Sequence, residues 1–206
     1  MSRVSRTTGI SAMLQKLSEL FSARRAPAGY RPGVTLEHLR RNLGLAGYEV
    51  CGPTTARVSL DNLGLQLEIV ERTESQLLMH LVMTEFVLRI PASQQGTASF
   101  ELHHTGAVRR TGIRCRQRSG DKEVLGILHT QLQEGSALHR ALMPLDFKRL
   151  RIDLVDHQWC VRLEHMGGSE VVNRMPAFRR YIALSSVQRA WLLDALNGFQ
   201  RALQAH

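Results

Sequence analysis

Residues 63–90 read LGLQLEIVERTESQLLMHLVMTEFVLRI. Apolar and polar side chains alternate from Leu63 to Ile69, which is the pattern of a β-strand with one buried face and one polar face. From residue 77 to residue 90 the chain is apolar with few interruptions, which predicts one bent strand or two strands inside a sheet. Because the period of two continues to about residue 118, we expect an antiparallel meander over residues 56–118.

Helical periodicity flanks this meander on both sides. The segment from Val34 to Ala46 is predicted to be a helix, with Thr35 as its N-cap and Gly47 as the residue that ends it. Residues 122–143 repeat apolar side chains with a helical period, interrupted near Gly135. The sequence therefore predicts one helix before the meander and a broken helix after it.

Further strands follow this second helical region. Phe147–Val155 and Gln158–Met166 each have a strand pattern, and the two residues between them are typical of a tight hairpin. A turn is expected at Gly167–Gly168, and one or two more strands are expected within residues 170–184. This part of the chain is therefore predicted to add a second set of antiparallel strands.

The last helix is predicted to begin at Ser185, with Gln188 three positions on as its capping-box partner. The order of elements is then helix, strands, helix, strands, helix. This order is typical of the α+β class: a mostly antiparallel sheet, largely a meander, with helices packed on one face. Residues 34–206 are expected to form a single domain of this kind.

The N-terminal segment differs from the rest of the chain in charge. Residues 1–33 carry +5 of the formal net charge of +9. Within them, residues 10–24 have the spacing of an amphipathic helix, and residues 26–33 are a linker rich in Pro and Gly. This basic helix could dock on an anionic membrane surface or in a partner's groove. Because its apolar stripe lacks Trp and its polar face is rich in Ser and Gln, packing on its own domain or homodimerisation is favoured.

The cysteines and the apolar segments indicate the cellular compartment of the protein. Cys51, Cys115 and Cys160 are far apart and form no CxxC motif, which argues against a disulfide framework and is typical of a reducing compartment. No apolar run has the length of a signal peptide or of a transmembrane helix. The sequence predicts a cytoplasmic bacterial protein without a transmembrane segment.

Arginine accounts for 24 of the 27 basic residues. This bias indicates either selection for forked donors that bind phosphate and carboxylate groups or the codon usage of a GC-rich genome. Alternate residues of a strand share a face, so arginines from two predicted strands would form a cationic surface if those strands are neighbours. A second basic cluster precedes the last helix. The candidate residues for contact with an anion or a partner are Arg114, Arg116, Arg149, Arg151, Arg179 and Arg180.

Three functions are compatible with these arginines. We expect a non-catalytic binding or adaptor protein that contacts an acidic protein partner through them. The alternative is binding of nucleic acid or of a phosphate-bearing ligand. An enzyme with an unrecognised active site, lined by groups such as Glu101, His103 or His104, comes third.

A fourth interpretation gives the arginines no ligand at all. They would then form a solvated sheet face in which they pair with acids on neighbouring strands. The acids in position for this are Glu68, Glu101, Asp153 and Glu164. Each such pair stabilises the fold by only about 0.2–1 kcal/mol.

No motif for catalysis or for a cofactor is present. The chain contains no GxSxG, P-loop or GxGxxG sequence. Cys115 lies between two arginines, but strand alternation directs it to the core. His157, Cys160, Glu164 and His165 do not supply the four converging ligands of a zinc site. We therefore predict no catalytic residues, no metal site and no cofactor.

Two stretches of the C-terminal half carry a family resemblance. RLRIDLVDHQWCVRL at residues 149–163 and EVVNRMPAFRRYIALSSVQRAWLLDAL at residues 170–196 resemble an uncharacterised proteobacterial domain family of unknown function. The resemblance covers most of the chain. It implies no activity, cofactor or site residue, because none is assigned to that family.

Overall fold

The structure is a computed structural model of the whole chain. It describes residues 30–44, 47–75, 79–93, 95–106, 109–120, 126, 128–130, 132–174 and 177–204. The predicted amphipathic helix at residues 10–24 and the first half of the linker that follows it lie outside these ranges. The prediction of a separate unit at residues 1–33 therefore stays a prediction.

The described residues include three α-helices, one 3-10 helix and nine strands, and residues 126 and 128–130 are helical as well. In chain order these are α1 (Val34–Leu43), β1 (Gly47–Gly52), β2 (Thr55–Leu60), the 3-10 helix (Asp61–Leu63), β3 (Leu65–Ser75), β4 (Met79–Pro91), β5 (Ala98–Thr105), β6 (Gly112–Gly120), α2 (Ala137–Leu142), β7 (Phe147–Val155), β8 (Gln158–Arg174), β9 (Ala177–Ile182) and α3 (Ser186–Gln204). The predicted α+β class with a mostly antiparallel sheet is confirmed.

The nine strands join one sheet in the order β1-β2-β3-β4-β8-β7-β5-β6, and β9 also pairs with β8. All pairs are antiparallel. The first four strands are a meander, as predicted, but β5 does not lie beside β4. The hairpin of β7 and β8 lies between them, turning at Asp156 and His157 with φ of 50° and 56°. β4 is buried on both faces over most of its length, which suits its position inside the sheet.

The predicted turn at Gly167–Gly168 is wrong, because these residues form a bulge within the continuous strand β8. On β4, Met83 alone stands opposite residues 166–169 of β8. Gly168 has φ of +85°, a conformation that glycine adopts at little cost. A bulge bends its strand. Here the two halves of β8 have different neighbours, β7 before the bulge and β9 after it.

The hydrophobic core is one cluster of buried side chains that come from alternate residues of the strands and from the helices. Phe86, Phe100 and Trp159 are fully buried there and belong to one cluster with Leu39 of α1 and Phe199 of α3. Burying a side chain of this size stabilises the fold by about 1.5–3 kcal/mol. We call the face of the sheet that carries Glu85, Arg151 and Arg162 the outer face.

Helix α1 begins differently from the prediction. Its N-cap is Gly33 and not Thr35, and no side chain of its own sequence caps it. Glu71 of β3 accepts hydrogen bonds from the backbone nitrogens of Gly33 at 3.0 Å and Leu36 at 3.1 Å. Thr35 lies inside the helix and donates its hydroxyl to Glu170 of β8. Glu71 thus satisfies backbone donors at the start of α1, and Glu170 binds the Thr35 side chain.

The C-terminus of α1 was also predicted too far along the chain. The helix ends at Leu43, and Gly44 takes the left-handed conformation that closes it. Gly47 is instead the first residue of β1. Arg189 of α3 donates to the carbonyl oxygen of Leu43 at 3.1 Å, which places a cation at the negative end of α1.

The start of α3 agrees with the prediction in part. Ser185 caps the helix, since its hydroxyl accepts a hydrogen bond from the backbone nitrogen of Gln188 at 3.2 Å. The predicted capping-box contact of Gln188 is wrong, because its side chain points away from the helix N-terminus and contacts other elements. Its oxygen accepts from the backbone nitrogen of Asp146 and lies 3.0 Å from the ring of His165, and its amide donates to Pro144.

Candidate functional site

Charged side chains occupy the outer face of the sheet in rows that cross the strands. One row begins at the apolar Val87 on β4 and continues in register with Arg162 on β8, Arg151 on β7, Glu101 on β5 and Arg116 on β6. Neighbouring strands are about 4.8 Å apart. The insertion of the β7–β8 hairpin is therefore what brings arginines from distant parts of the chain together.

The centre of the outer face is a groove of about 760 Å³. Arg72 of β3, Arg149 and Arg151 of β7, and Arg162 of β8 line it. We call it the arginine groove. Its four arginines come from three strands of the sheet, and two of these strands, β7 and β8, carry irregularities in register close to it.

The floor of the arginine groove contains two glutamates. Glu85 of β4 and Glu164 of β8 are directly opposite each other, and their side chains are only 9% and 8% exposed. Met83 lies beside them and is almost fully buried. Burial raises the pKa of Glu164, and the charge of Glu85 acts in the same direction, while Arg149 opposes both.

Each floor carboxylate is held by one arginine of the groove. Arg72 donates to Oε2 of Glu85 at 3.0 Å, and Arg149 donates to Oε1 of Glu164 at 3.2 Å. Within the described residues, the second oxygen of each carboxylate accepts no hydrogen bond. The floor is therefore a pair of acceptors flanked by cations.

The cross-strand pairs predicted as the ligand-free interpretation are present. The four expected acids each have an arginine partner, in the pairs Arg89–Glu68, Arg118–Glu101, Arg162–Asp153 and Arg149–Glu164. Lys148 of β7 and Glu74 of β3 add an ion pair that reaches across β8 and β4 at 2.5 Å. Part of the arginine content of this face therefore has a structural explanation.

The six candidate arginines are not brought together in one place. Arg149 and Arg151 line the arginine groove. Arg114 and Arg116 lie on β6 at the edge of the sheet, exposed and without an ion pair among the described residues. Arg179 and Arg180 lie on β9, where Arg179 pairs with the buried carboxylate of Glu170 and Arg180 is exposed.

A comparison with protein families identifies the chain. The model of a family described as "Protein of unknown function (DUF3156)" matches residues 41–203. The chain belongs to this family. The resemblance to an uncharacterised domain family of unknown function is thereby confirmed. Comparisons with curated proteins and with solved structures each found no match.

Sequence reasoning missed the floor of the groove in this DUF3156 chain. The sequence places Glu85 within an apolar strand and indicates Glu164 only as a pairing acid or as part of an incomplete set of zinc ligands. No sequence pattern distinguishes Arg72 from the other arginines. A signal did exist: Glu85 is a lone acid within the apolar segment 77–90, and an acid in such a place needs a partner. Its neighbour Glu164 can be identified only from the order of the strands in the sheet.

The residues named for an unrecognised active site do not line the arginine groove. Glu101 pairs with Arg118, and His103 is exposed on the outer face. His104 points to the core side, stacks on Phe147 and lies 3.0 Å from a backbone carbonyl oxygen. Burial lowers the pKa of His104. The described side chains therefore do not assemble the expected catalytic set.

The described part of the DUF3156 chain contains no assembled cysteine site or metal site. Cys115 is half-buried against the core, and burial raises its pKa to about 11, so its thiolate is scarce at neutral pH. No three His, Cys, Asp or Glu side chains of the described residues converge on a metal position. Glu164 and His165, adjacent on β8, point to opposite faces of the sheet. None of the helices in the described ranges is both long and apolar enough to cross a bilayer.

Proposed function

We propose that this protein is a non-catalytic binding protein, in the manner of an adaptor, and that its arginine groove receives an acidic group of a ligand or partner. The observation that carries the proposal is the convergence of four guanidinium groups on one concave surface. Ligand sites are concave and commonly have volumes of about 300–1,000 Å³. The arginine groove falls within this range.

The arginines retain donors for such a group. A guanidinium has five N–H donors, and the ion pairs of the groove use only some of them. Arg151 is 51% exposed, and its nearest acid, Asp153, is 3.5 Å away, too far for a strong hydrogen bond. Arg149 is 55% exposed although it holds Glu164. A carboxylate or phosphate entering the groove would find forked donors already positioned.

Binding of nucleic acid or of a phosphorylated ligand remains the alternative. Arg114 and Arg116 extend the cationic row beyond the groove towards the sheet edge, as a longer anion would require. Sheets that bind single strands usually carry aromatic side chains on which bases stack. The described residues that line the groove include no aromatic side chain. This favours an acidic group of a protein or small molecule.

The test uses the full chain and two labelled probes, a short oligoglutamate peptide and a short oligothymidylate. We expect the peptide to bind and the double variant Arg149→Ala/Arg151→Ala to weaken binding about tenfold per arginine, since a charge-assisted hydrogen bond contributes about 1.5–3 kcal/mol. Fluorescence anisotropy over a series of salt concentrations provides the affinities.

The matched control is Arg57→Ala, because Arg57 is an exposed outer-face arginine on β2 that pairs with Glu49 outside the groove. Its loss should leave binding unchanged. Arg151→Ala alone guards against a folding defect, since Arg151 holds no buried acid. Tighter binding of the oligothymidylate with a steep salt dependence would favour the alternative. If neither probe binds, the proposal is wrong.

Three further expectations accompany this proposal. A cytoplasmic location is supported by three separated cysteines that are free in the structure. Homodimerisation through the N-terminal helix is supported only by the sequence pattern of residues 10–24. Packing of the helices on one sheet face is supported by the shared cluster of Leu39 and Phe199 with the strands.

A further inference from the structure

Four of the charged side chains in the arginine groove are arranged as two pairs of like sign. Arg162 of β8 stands directly opposite Arg151 of β7, and Glu164 of β8 stands directly opposite Glu85 of β4. Arg162 and Glu164 are two residues apart on the same strand, so the two pairs are separated by about 6–7 Å along it. The groove thus has a cationic half with Arg151 and Arg162, next to a half in which two glutamates are each paired with one arginine.

Like charges directly opposite each other on neighbouring strands destabilise a sheet. Charges of opposite sign in the protein offset this repulsion only in part. Asp153 pairs with Arg151 and Arg162, but each floor carboxylate has a single arginine. Oε1 of Glu85 and Oε2 of Glu164 accept no hydrogen bond from the described residues. Two mostly buried carboxylates side by side are stabilised further by an added positive charge.

The two arginines of the cationic half favour the binding of a negative charge. Arg151 and Arg162 present donors beyond those that Asp153 occupies, and an anion between them relieves their repulsion. Both halves belong to one cavity with the apolar side chain of Met83 beside them. A single molecule that carries both charges at a suitable separation therefore matches the groove better than an anion alone.

We propose that the ligand of the arginine groove is a zwitterion whose anionic group binds Arg151 and Arg162 and whose ammonium group binds Glu85 and Glu164. This inference rests on the proposed function, because it assumes that the groove is the binding site. It adds a ligand class: a small molecule or peptide segment with an acid and an amine about 6–7 Å apart.

The test measures affinities of the full chain for three probes by isothermal titration calorimetry. The probes are 4-aminobutyl phosphate, which has both charges, and its two halves, butyl phosphate and butylammonium. We expect the zwitterion to bind at least tenfold more tightly than butyl phosphate and butylammonium to bind weakly. In Glu164→Gln, whose side chain keeps its shape, this ratio should fall below about twofold while butyl phosphate still binds.

The matched control is Glu68→Gln, since Glu68 is an outer-face glutamate that pairs with Arg89 and does not line the groove. It should leave the ratio unchanged. Equal binding of the zwitterion and butyl phosphate to the unmodified protein would overturn the zwitterion inference and leave the proposed function standing. If butyl phosphate and oligoglutamate both fail to bind, the proposed function falls and the inference falls with it.

Discussion

At the scale of single residues, His165 is a side chain whose surroundings define its charge. It is buried, the backbone nitrogen of Gly167 donates to its Nδ1 at 2.8 Å, and its Nε2 lies 3.0 Å from Oε1 of Gln188. Both ring nitrogens are satisfied in the neutral ring that carries its proton on Nε2. Burial accordingly lowers the pKa of His165 below its ordinary value.

This environment makes stability depend on pH. Below the ordinary histidine pKa of 6.5, the unfolded chain takes up a proton that the folded chain resists. Stability is therefore lost as the pH falls from about 6.5, by at most about 1.4 kcal/mol per pH unit for this residue. We expect thermal melting between pH 7 and pH 5 to show a smaller decline in His165→Gln than in the unmodified protein.

The control is His103→Gln, because His103 is exposed on the outer face. That variant should keep the full pH dependence. An unchanged pH dependence in His165→Gln would contradict the assignment. His104, whose pKa burial also lowers, should account for part of the decline that remains.

The orientation and partners of a residue can be predicted from the sequence when those partners are close to it along the chain. The alternation of β6 places Arg114 and Arg116 on one face without knowledge of any other strand. The inward direction of Cys115 follows in the same way. The pairing of Glu85 with Glu164 could not be predicted, because it depends on β8 lying beside β4, across a long separation in the chain.

At the scale of elements, α1 depends on β3 for its first turn. Glu71 is buried and accepts hydrogen bonds from two backbone nitrogens and from the Tyr30 hydroxyl at 2.8 Å. Glu71→Ala leaves these donors without their acceptor. We expect the free energy of unfolding to fall by about 2 kcal/mol or more in chemical denaturation.

Glu37→Ala provides the comparison, since Glu37 lies in the same helix and pairs with Arg40 and Arg41 at the surface. Exposed pairs of this kind contribute little. The variant should change stability far less than Glu71→Ala. Similar losses in the two variants would refute the role assigned to Glu71.

The bulge of β8 makes a separate prediction. A Cβ at Gly168 would lie 2.8 Å from Leu39 Cδ1 and 3.1 Å from Thr84 Oγ1, in addition to the cost of φ +85°. Gly135 has the same φ but open space around it. We expect Gly168→Ala to lower the melting temperature clearly more than Gly135→Ala. The difference between the variants measures the packing of the bulge, because the backbone cost is shared.

The elements themselves were easier to predict than their connections. Strands β3, β7 and the first half of β8 follow from side-chain alternation, and the positions of α1 and α3 follow from helical spacing. The Gly167–Gly168 pair predicts a turn and a bulge equally well, so the sequence alone does not distinguish them. What distinguishes them is the pairing of both halves of β8 with β4, which is a tertiary interaction.

At the scale of the whole molecule, the sheet and its core connect all the described elements. One hydrophobic cluster contains residues from the first strands, from the β7–β8 hairpin and from α1 and α3. Such a core favours unfolding in a single transition. The prediction of one domain over residues 34–206 can be tested through this property.

The chain has two tryptophans, and Trp159 is fully buried in the core. In Trp191→Phe, the fluorescence of Trp159 reports on the sheet alone, while far-ultraviolet circular dichroism reports on all elements. We expect the two denaturation curves to superimpose. Separate midpoints would indicate two units that unfold independently and would contradict a single domain.

The branching of the sheet at β8 has a consequence for solubility. Among the described strands it leaves three open edges, at β1, β6 and β9, where a linear sheet has two. Open edges can pair with the same edge of another molecule and begin aggregation. On β6, the arginines Arg114, Arg116 and Arg118 would meet their own copies in such a pairing, and like charges side by side repel. We therefore expect the arginines of β6 to disfavour edge-to-edge pairing between two copies of the protein.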